Sequence, residues 1–255
     1  MSVGNYDGFK SLRRITFDDF KQRALDSSLS DNEKIGFPDT YRQGYTGEIF
    51  ADILTKLPAL SDNNRIILDI GCGCSELAMA TIQYCQQQQH KLVLVDSEEM
   101  VSLLPEGPDI VKIPGKFPQN QEIFTKYQNS CDVIIIYSVL QHVVLEDNLF
   151  NFIDKALELL NIGGMLLLGD IPNISKRKRF FSSPQGIKTH QEFTGRDEIP
   201  AVDIFHIEHE KIDDSILMAI LQRYRGFGFE TYLLPQHDML PMATRREDIL
   251  IVKRI

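Results

Sequence analysis

The residues Asp69-Ile70-Gly71-Cys72-Gly73 follow the apolar run Ile66-Ile67-Leu68 and lead through Cys74-Ser75-Glu76 into a helical pattern. A strand, a tight glycine turn and a helix in that order place backbone N–H groups beside a bound ligand. The residue types around the turn select that ligand. A dinucleotide site wants a third glycine three positions after the second, where the diphosphate settles on the helix N-terminus. Glu76 holds that position; its carboxylate repels a diphosphate and tolerates a nucleoside carrying a positive centre. The turn therefore reads as a site for a nucleoside cation.

A second acid ends the buried-strand pattern Lys91-Leu92-Val93-Leu94-Val95-Asp96, roughly 20 residues beyond the turn, where a carboxylate accepts ribose hydroxyls. Asp96 equally suits the cap of the following helix, a role Ser97 can fill instead. Together the two stretches resemble the first motifs of the class I S-adenosylmethionine-dependent methyltransferases, with Ser75 where a third glycine is common. The resemblance covers about residues 46–171 and 213–255. It implies S-adenosylmethionine as cofactor and an enzyme of small-molecule metabolism; the cysteine usage and the N-terminal order considered below make a cytoplasmic protein the expectation.

Methyl transfer needs a nucleophile placed in line with a sulfonium methyl group, and a base only where the nucleophile must lose a proton. The resemblance therefore implies roles at the C-terminal ends of the parallel strands. Asp69, Gly71, Gly73, Asp96 and Ser97 are expected to hold the cofactor. In the loop after the third strand, Gly115 and Phe117 face the adenine, with Phe117 equally suited to packing on the core. After the fourth strand, Tyr137 and Ser138 shape the cofactor pocket, and His142 is the candidate general base because imidazole titrates near neutral pH; a helix cap is its other reading. Asp170, ending the fifth strand, points toward the acceptor. Near the N-terminus, Arg42 and Tyr45 fold over the cofactor, with Arg42 meeting the methionine carboxylate.

The cations Lys176, Arg177, Lys178 and Arg179 beside this site suggest an acceptor bearing phosphate or carboxylate, since Arg binds both in bidentate fashion; a solvated loop is the alternative. The His206-Ile207-Glu208-His209 stretch invites a metal reading, but its spacing matches no known site. No metal is expected, and His190, His206 and His209 read as lid residues or acceptor contacts.

Composition narrows the partners. A net charge of −9 over 255 residues meets a nucleic-acid backbone with repulsion, so nucleic acid is excluded as a partner. The cysteines Cys72, Cys74, Cys85 and Cys131 form no C-x-x-C pair and read as reduced thiols. Met1–Asp7 lack the order of a secretion signal, and no apolar run reaches the ~18 residues of a membrane span.

The elements that must position these residues follow from periodicity. Thr16-Phe17-Asp18-Asp19 has capping-box form before Phe17, Phe20, Ala24 and Leu25 at helical spacing. A second helix presents Ile49, Phe50, Ile53, Leu54 and Leu57 before Pro58. From Arg65 onward, short β-branched runs alternate with helical patterns, the mark of a parallel sheet covered on both faces. Strands are expected near 65–70, 91–96, 110–113, 132–137, 164–169, 230–234 and 248–253. Helices are expected near 75–87, 97–104, 145–161 and 213–225, with Gly163-Gly164 stopping the third. Apolar periodicity fails between Asp170 and Asp213, and that insertion reads as a lid.

The expected architecture is therefore α/β: a Rossmann-like, mostly parallel seven-stranded sheet with helices on both faces, a reversed C-terminal hairpin and a small cap. Residues 1–64 form an N-terminal helical segment over the cofactor, and 65–255 form the methyltransferase domain with 170–212 as the inserted lid. The expected reaction is methyl transfer to a small polar acceptor, at the oxygen of a sugar or phosphorylated metabolite. A nicotinamide-dependent oxidoreductase on the same sheet and a non-catalytic methyltransferase-like binding protein are the alternatives.

Overall fold

The structure is a computed structural model that describes residues 15–255; the Met1–Asp7 stretch examined for a secretion signal lies outside them. Seven strands form one sheet: β1 (Ile66–Ile70), β2 (Lys91–Asp96), β3 (Ile110–Pro114), β4 (Cys131–Tyr137), β5 (Leu160–Pro172), β6 (Glu230–Leu234) and β7 (Arg246–Val252). Their order is β3-β2-β1-β4-β5-β7-β6. The first five pair in parallel, while β7 runs antiparallel to both β5 and β6. The order reverses at β1, so the crevice where open α/β sheets bind ligands lies beyond the C-terminal ends of β1, β2 and β4.

The strands bury alternate residues on opposite faces, as a period of two dictates. Leu68, Val93, Ile134 and Ile249 enter one core, and Ile67, Leu92, Val133 and Leu250 enter the other. The first core is closed by α7 (Gln121–Tyr127), α8 (Leu140–Glu146), α9 (Leu149–Leu159) and α12 (Asp214–Gly226). Within it Tyr224 is fully enclosed, and its hydroxyl donates to Asp154 Oδ1 at 2.9 Å. The second core is closed by α4 (Thr46–Lys56), α5 (Glu76–Gln87) and α6 (Glu98–Val101). Ahead of β1 lie α1 (Phe17–Leu25), α2 (Asp31–Lys34) and α3 (Asp39–Arg42). Thr16 and Asp19 form the expected capping box on α1.

One expectation is corrected. The helix placed at 145–161 is two helices, α8 and α9, and α9 ends at Leu159; Gly163 and Gly164 lie within β5. Leu160 leaves the helical stripe to pair with Cys131. The 170–212 segment, where apolar periodicity fails, contains α10 (Ile174–Phe181) and α11 (Pro184–Thr194). Neither displays an apolar stripe: α10 buries no residue and α11 buries only Gly186. Caps define them instead. Asn173 Oδ1 accepts from the N–H groups of Ser175 and Lys176, and Ser183 caps α11 ahead of Pro184.

Candidate active site

A cleft of about 1130 Å³, counting the part open to solvent, lies at the C-terminal ends of β1, β2 and β4. Its floor is the glycine turn. Gly71 and Gly73 hold φ of +76° and +61°, which glycine adopts without the cost a Cβ brings. A Cβ on Gly71 would fall 2.5 Å from Val139 Cγ2, and one on Gly73 would fall 2.6 Å from Ile35 Cγ2. The turn is therefore shaped for close backbone approach.

Asp96 joins the turn to the end of β2. Its Oδ2 accepts from Gly73 N–H at 2.9 Å and its Oδ1 from Ser97 N–H at 2.7 Å. Burial raises its carboxyl above the usual range, opposed by those two hydrogen bonds. Ser97 does not line the cleft: its Oγ accepts from Met100 N–H and caps α6. The helix thus has its own cap, and Asp96 faces the cleft. Asp69 sits behind the turn rather than on the cleft wall. Burial, then the charge of Asp96, pushes its carboxyl up to about 7.

The other candidates divide in the same way. Gly115, Phe117, Tyr137, Ser138, His142 and Arg42 line the cleft, whereas Tyr45 and Asp170 do not. Tyr45 is exposed at the start of α4. Phe117 serves both of its expected roles, because it lines the cleft and packs on Phe124 and Phe152. Glu76 is absent from the cleft wall and accepts from Thr46 Oγ1 at 2.8 Å, so it does not meet a ligand directly. Residues 170–212 contribute nothing to the wall either. Cover comes instead from Phe17, Phe20, Asn32, Ile35, Phe37 and Arg42 in the first three helices and their loops.

His142 lies on α8 with its ring edge-on to Phe20 at 4.8 Å between centroids. Burial lowers it to about 4, partly offset by a hydrogen bond to the Ile15 backbone. The ring is neutral near pH 7, and its buried Nδ1 has no hydrogen-bond partner among the described residues.

Asp170 is withdrawn from the acceptor position the sequence suggested. Its Oδ2 accepts from Arg42 Nη2 at 2.8 Å and from Ser138 Oγ at 2.6 Å. Burial alone would raise its carboxyl, but Arg246 and Arg42, with Ser138 and Gln236, hold it below the usual range. The basic run is likewise engaged elsewhere. It forms part of α10, where Lys176 meets Glu247, Lys178 meets Glu208, Arg179 meets Asp214 and Arg177 lies over the Phe181 ring.

Sequence reading overlooked Lys116, which lines the cleft and pairs with Asp147 at 2.8 Å and Glu146 at 3.5 Å. It also overlooked the aromatic cover of Phe17, Phe20 and Phe37. The helix bearing Phe17 and Phe20 was legible from its capping box, but nothing local showed where it docks. Among the described residues no group of His, Cys, Asp and Glu is arranged to hold a metal ion, and no helix is long and apolar enough to cross a membrane.

No family model matches the chain, and no curated protein matches it. Solved structures do. The plantazolicin methyltransferase BpumL, in complex with a triazolic desmethylPZN analog and SAH, is 14% identical with a TM-score of 0.58, over 94% of this chain and 98% of that one. A putative S-adenosylmethionine-dependent methyltransferase from Listeria monocytogenes is 15% identical with a TM-score of 0.54, over 81% and 96%. The CurJ carbon methyltransferase is 15% identical with a TM-score of 0.52, over 93% of this chain and 64% of that one. With its reversed β7 and its cleft at the switch of strand order, this chain has the Rossmann-like fold of these S-adenosylmethionine-dependent methyltransferases.

Proposed function

We propose that this chain transfers a methyl group from S-adenosylmethionine to a small polar acceptor, at an oxygen of a sugar-like molecule. One observation carries the reading: the Gly71–Gly73 turn and the Asp96 carboxylate face one cleft as a single hydrogen-bonded unit. The turn provides the close approach a nucleoside needs, and Asp96 keeps lone pairs for ribose hydroxyls. Arg42, with N–H groups to spare, is the partner for the methionine carboxylate. The cations lining the cleft, Lys116 and Arg42, are both paired with carboxylates, which suits a ligand without a diphosphate and disfavours the dinucleotide alternative.

The cofactor supplies a methyl group on a positively charged sulfur. Asp96, which faces the cleft, stabilises that charge. His142 Nδ1, neutral and without a partner, takes the proton of the acceptor hydroxyl. The wall of Phe17, Phe20 and Phe37 suits the apolar face of a sugar ring. A phosphorylated acceptor fits less well, since the α10 cations are engaged with carboxylates and do not line the cleft.

The test is product analysis with labelled S-adenosylmethionine across neutral sugars and their phosphates. Label transferred to a neutral hydroxyl, and lost on His142→Ala with cofactor affinity retained, supports the reading. Transfer only to phosphorylated members overturns its acceptor part, and absence of cofactor binding overturns it entirely.

A further inference from the structure

Beneath the cleft lies a buried set of charged groups that methyl transfer does not use directly. Lys56 on α4 donates to Asp52 at 2.5 Å and to Asp248 on β7 at 2.6 Å. Asp248 is fully buried, and its Oδ1 accepts the backbone N–H of Asp170 at 2.8 Å. Gln236 Nε2 bridges the two acids, 3.3 Å from Asp170 Oδ1 and 3.2 Å from Asp248 Oδ1. Arg246 donates to the Asp170 carbonyl at 3.2 Å. Asp170 itself holds φ of +55° at the end of the parallel part of β5, a conformation that persists in a non-glycine residue only where its surroundings fix it.

Asp170 links this set to Arg42. Its guanidinium lies 4.1 Å from the Phe37 ring centroid and 5.7 Å from that of Tyr137. Its Nη2 donates to Ser138 Oγ and Asp170 Oδ2. The side chain is 8% exposed, and Nε is buried with no partner among the described residues. A buried guanidinium with its charge matched on one edge and N–H groups unused on another is built to receive a second acceptor. Its place on the cleft wall means that acceptor belongs to the ligand.

We propose that Asp170 is a positioning residue: backed by Asp248 and Gln236, it holds Arg42 in the geometry that binds the carboxylate of the cofactor's amino-acid tail. The inference rests on the reading of this cleft as an S-adenosylmethionine site, and it gives Asp170 a different role from the acceptor-facing one its sequence position suggested. Asp170 acts through Arg42 and touches no ligand. The nucleoside half of the cofactor is held by Asp96 and the glycine turn, which share no hydrogen bond with this set.

That separation provides the test. Binding of S-adenosylhomocysteine, which has the amino-acid tail, is compared with binding of 5′-methylthioadenosine, which lacks it. Asp170→Asn should weaken S-adenosylhomocysteine roughly ten- to a hundredfold, the loss typical of a charge-assisted hydrogen bond, and change 5′-methylthioadenosine less than twofold. Gln236→Met, remote from the cleft, should give the same pattern at a few-fold, and stands as the test if Asp170→Asn does not fold. An equal loss for both ligands, or no loss for S-adenosylhomocysteine, overturns the positioning role. If the unaltered protein binds neither ligand, it is the cofactor reading that fails.

Discussion

The backbone N–H of Gly73 points at Asp96 Oδ2 from 2.9 Å, so the turn that ends β1 and the acid that ends β2 are one unit rather than two neighbouring motifs. Asp96→Asn keeps the shape, but its single amide oxygen cannot accept from both Gly73 and Ser97 N–H, and it removes a lone-pair set from the ribose. S-adenosylhomocysteine binding should weaken by about 1.5–3 kcal/mol, read by calorimetry, with 5′-methylthioadenosine affected equally because both carry the ribose.

Adding a single methyl group to the turn should be costly. Gly73→Ala forces a Cβ to φ of +61° and against Ile35. We expect a loss of about 1–3 kcal/mol in stability and a marked loss of cofactor affinity. Thermal unfolding checks the first and calorimetry the second. An unchanged midpoint would show that the turn tolerates a side chain.

Asp69 should make stability depend on pH with an unusual sign. Its folded carboxyl is pushed up to about 7, from an ordinary value of 3.8. The folded state therefore holds this proton more tightly than the unfolded chain, and this group stabilises increasingly as pH falls from 7 toward 3.8 and less as pH rises through 7. Asp69→Asn should raise the unfolding midpoint at pH 8 by a few degrees, with the advantage over the unaltered protein shrinking toward pH 5. A constant difference across that range would contradict the shift.

His142 carries the opposite dependence. Its folded value of about 4 lies below the ordinary 6.5, so the unfolded chain takes up the proton first and this group costs stability as pH falls from 6.5 toward 4. Catalysis should accordingly show no loss of kcat through pH 6.5 on the acid side. His142→Gln should depress kcat far more than the cofactor's KM, and its stability deficit should narrow as pH falls. An acid limb near 6.5 would assign the titration to an exposed imidazole.

The cationic stretch of α10 is expected to leave cofactor binding alone. Lys178 and Arg179 pair with Glu208 and Asp214, and the exposed Arg179 pair is worth little. Lys178→Ala with Arg179→Ala should keep S-adenosylhomocysteine affinity within twofold by calorimetry. A tenfold change would mean that α10 reaches the cleft.

What could be read from the chain, and what could not, follows from the range of the interactions involved. The strands were legible because Ile67, Leu68, Val93 and Leu94 leave no polar face, and the β1 turn because Gly71 and Gly73 answer a local backbone need. The helix boundary at Leu159 was not, since Leu160 continues the apolar stripe but pairs with Cys131 across the sheet. The α10 and α11 helices depend on caps and on polar pairing, which hydrophobic periodicity does not register. At the site, Asp96 stood out by residue type at a strand end, and His142 by residue type in the stretch after one. Asp170 drew attention for the same reason, yet its partners Arg42 and Gln236 lie 128 and 66 positions away, and only folding shows that they claim its carboxylate. The aromatic cover is long-range in the same sense.

The claim that the cleft beside Gly73 takes a nucleoside without phosphates is tested most directly by titrating the intact protein with S-adenosylhomocysteine and, separately, with NADH in a calorimeter. One equivalent of S-adenosylhomocysteine should bind with saturable heat, while NADH gives heats of dilution alone. Saturation by NADH with no heat from S-adenosylhomocysteine would contradict the account.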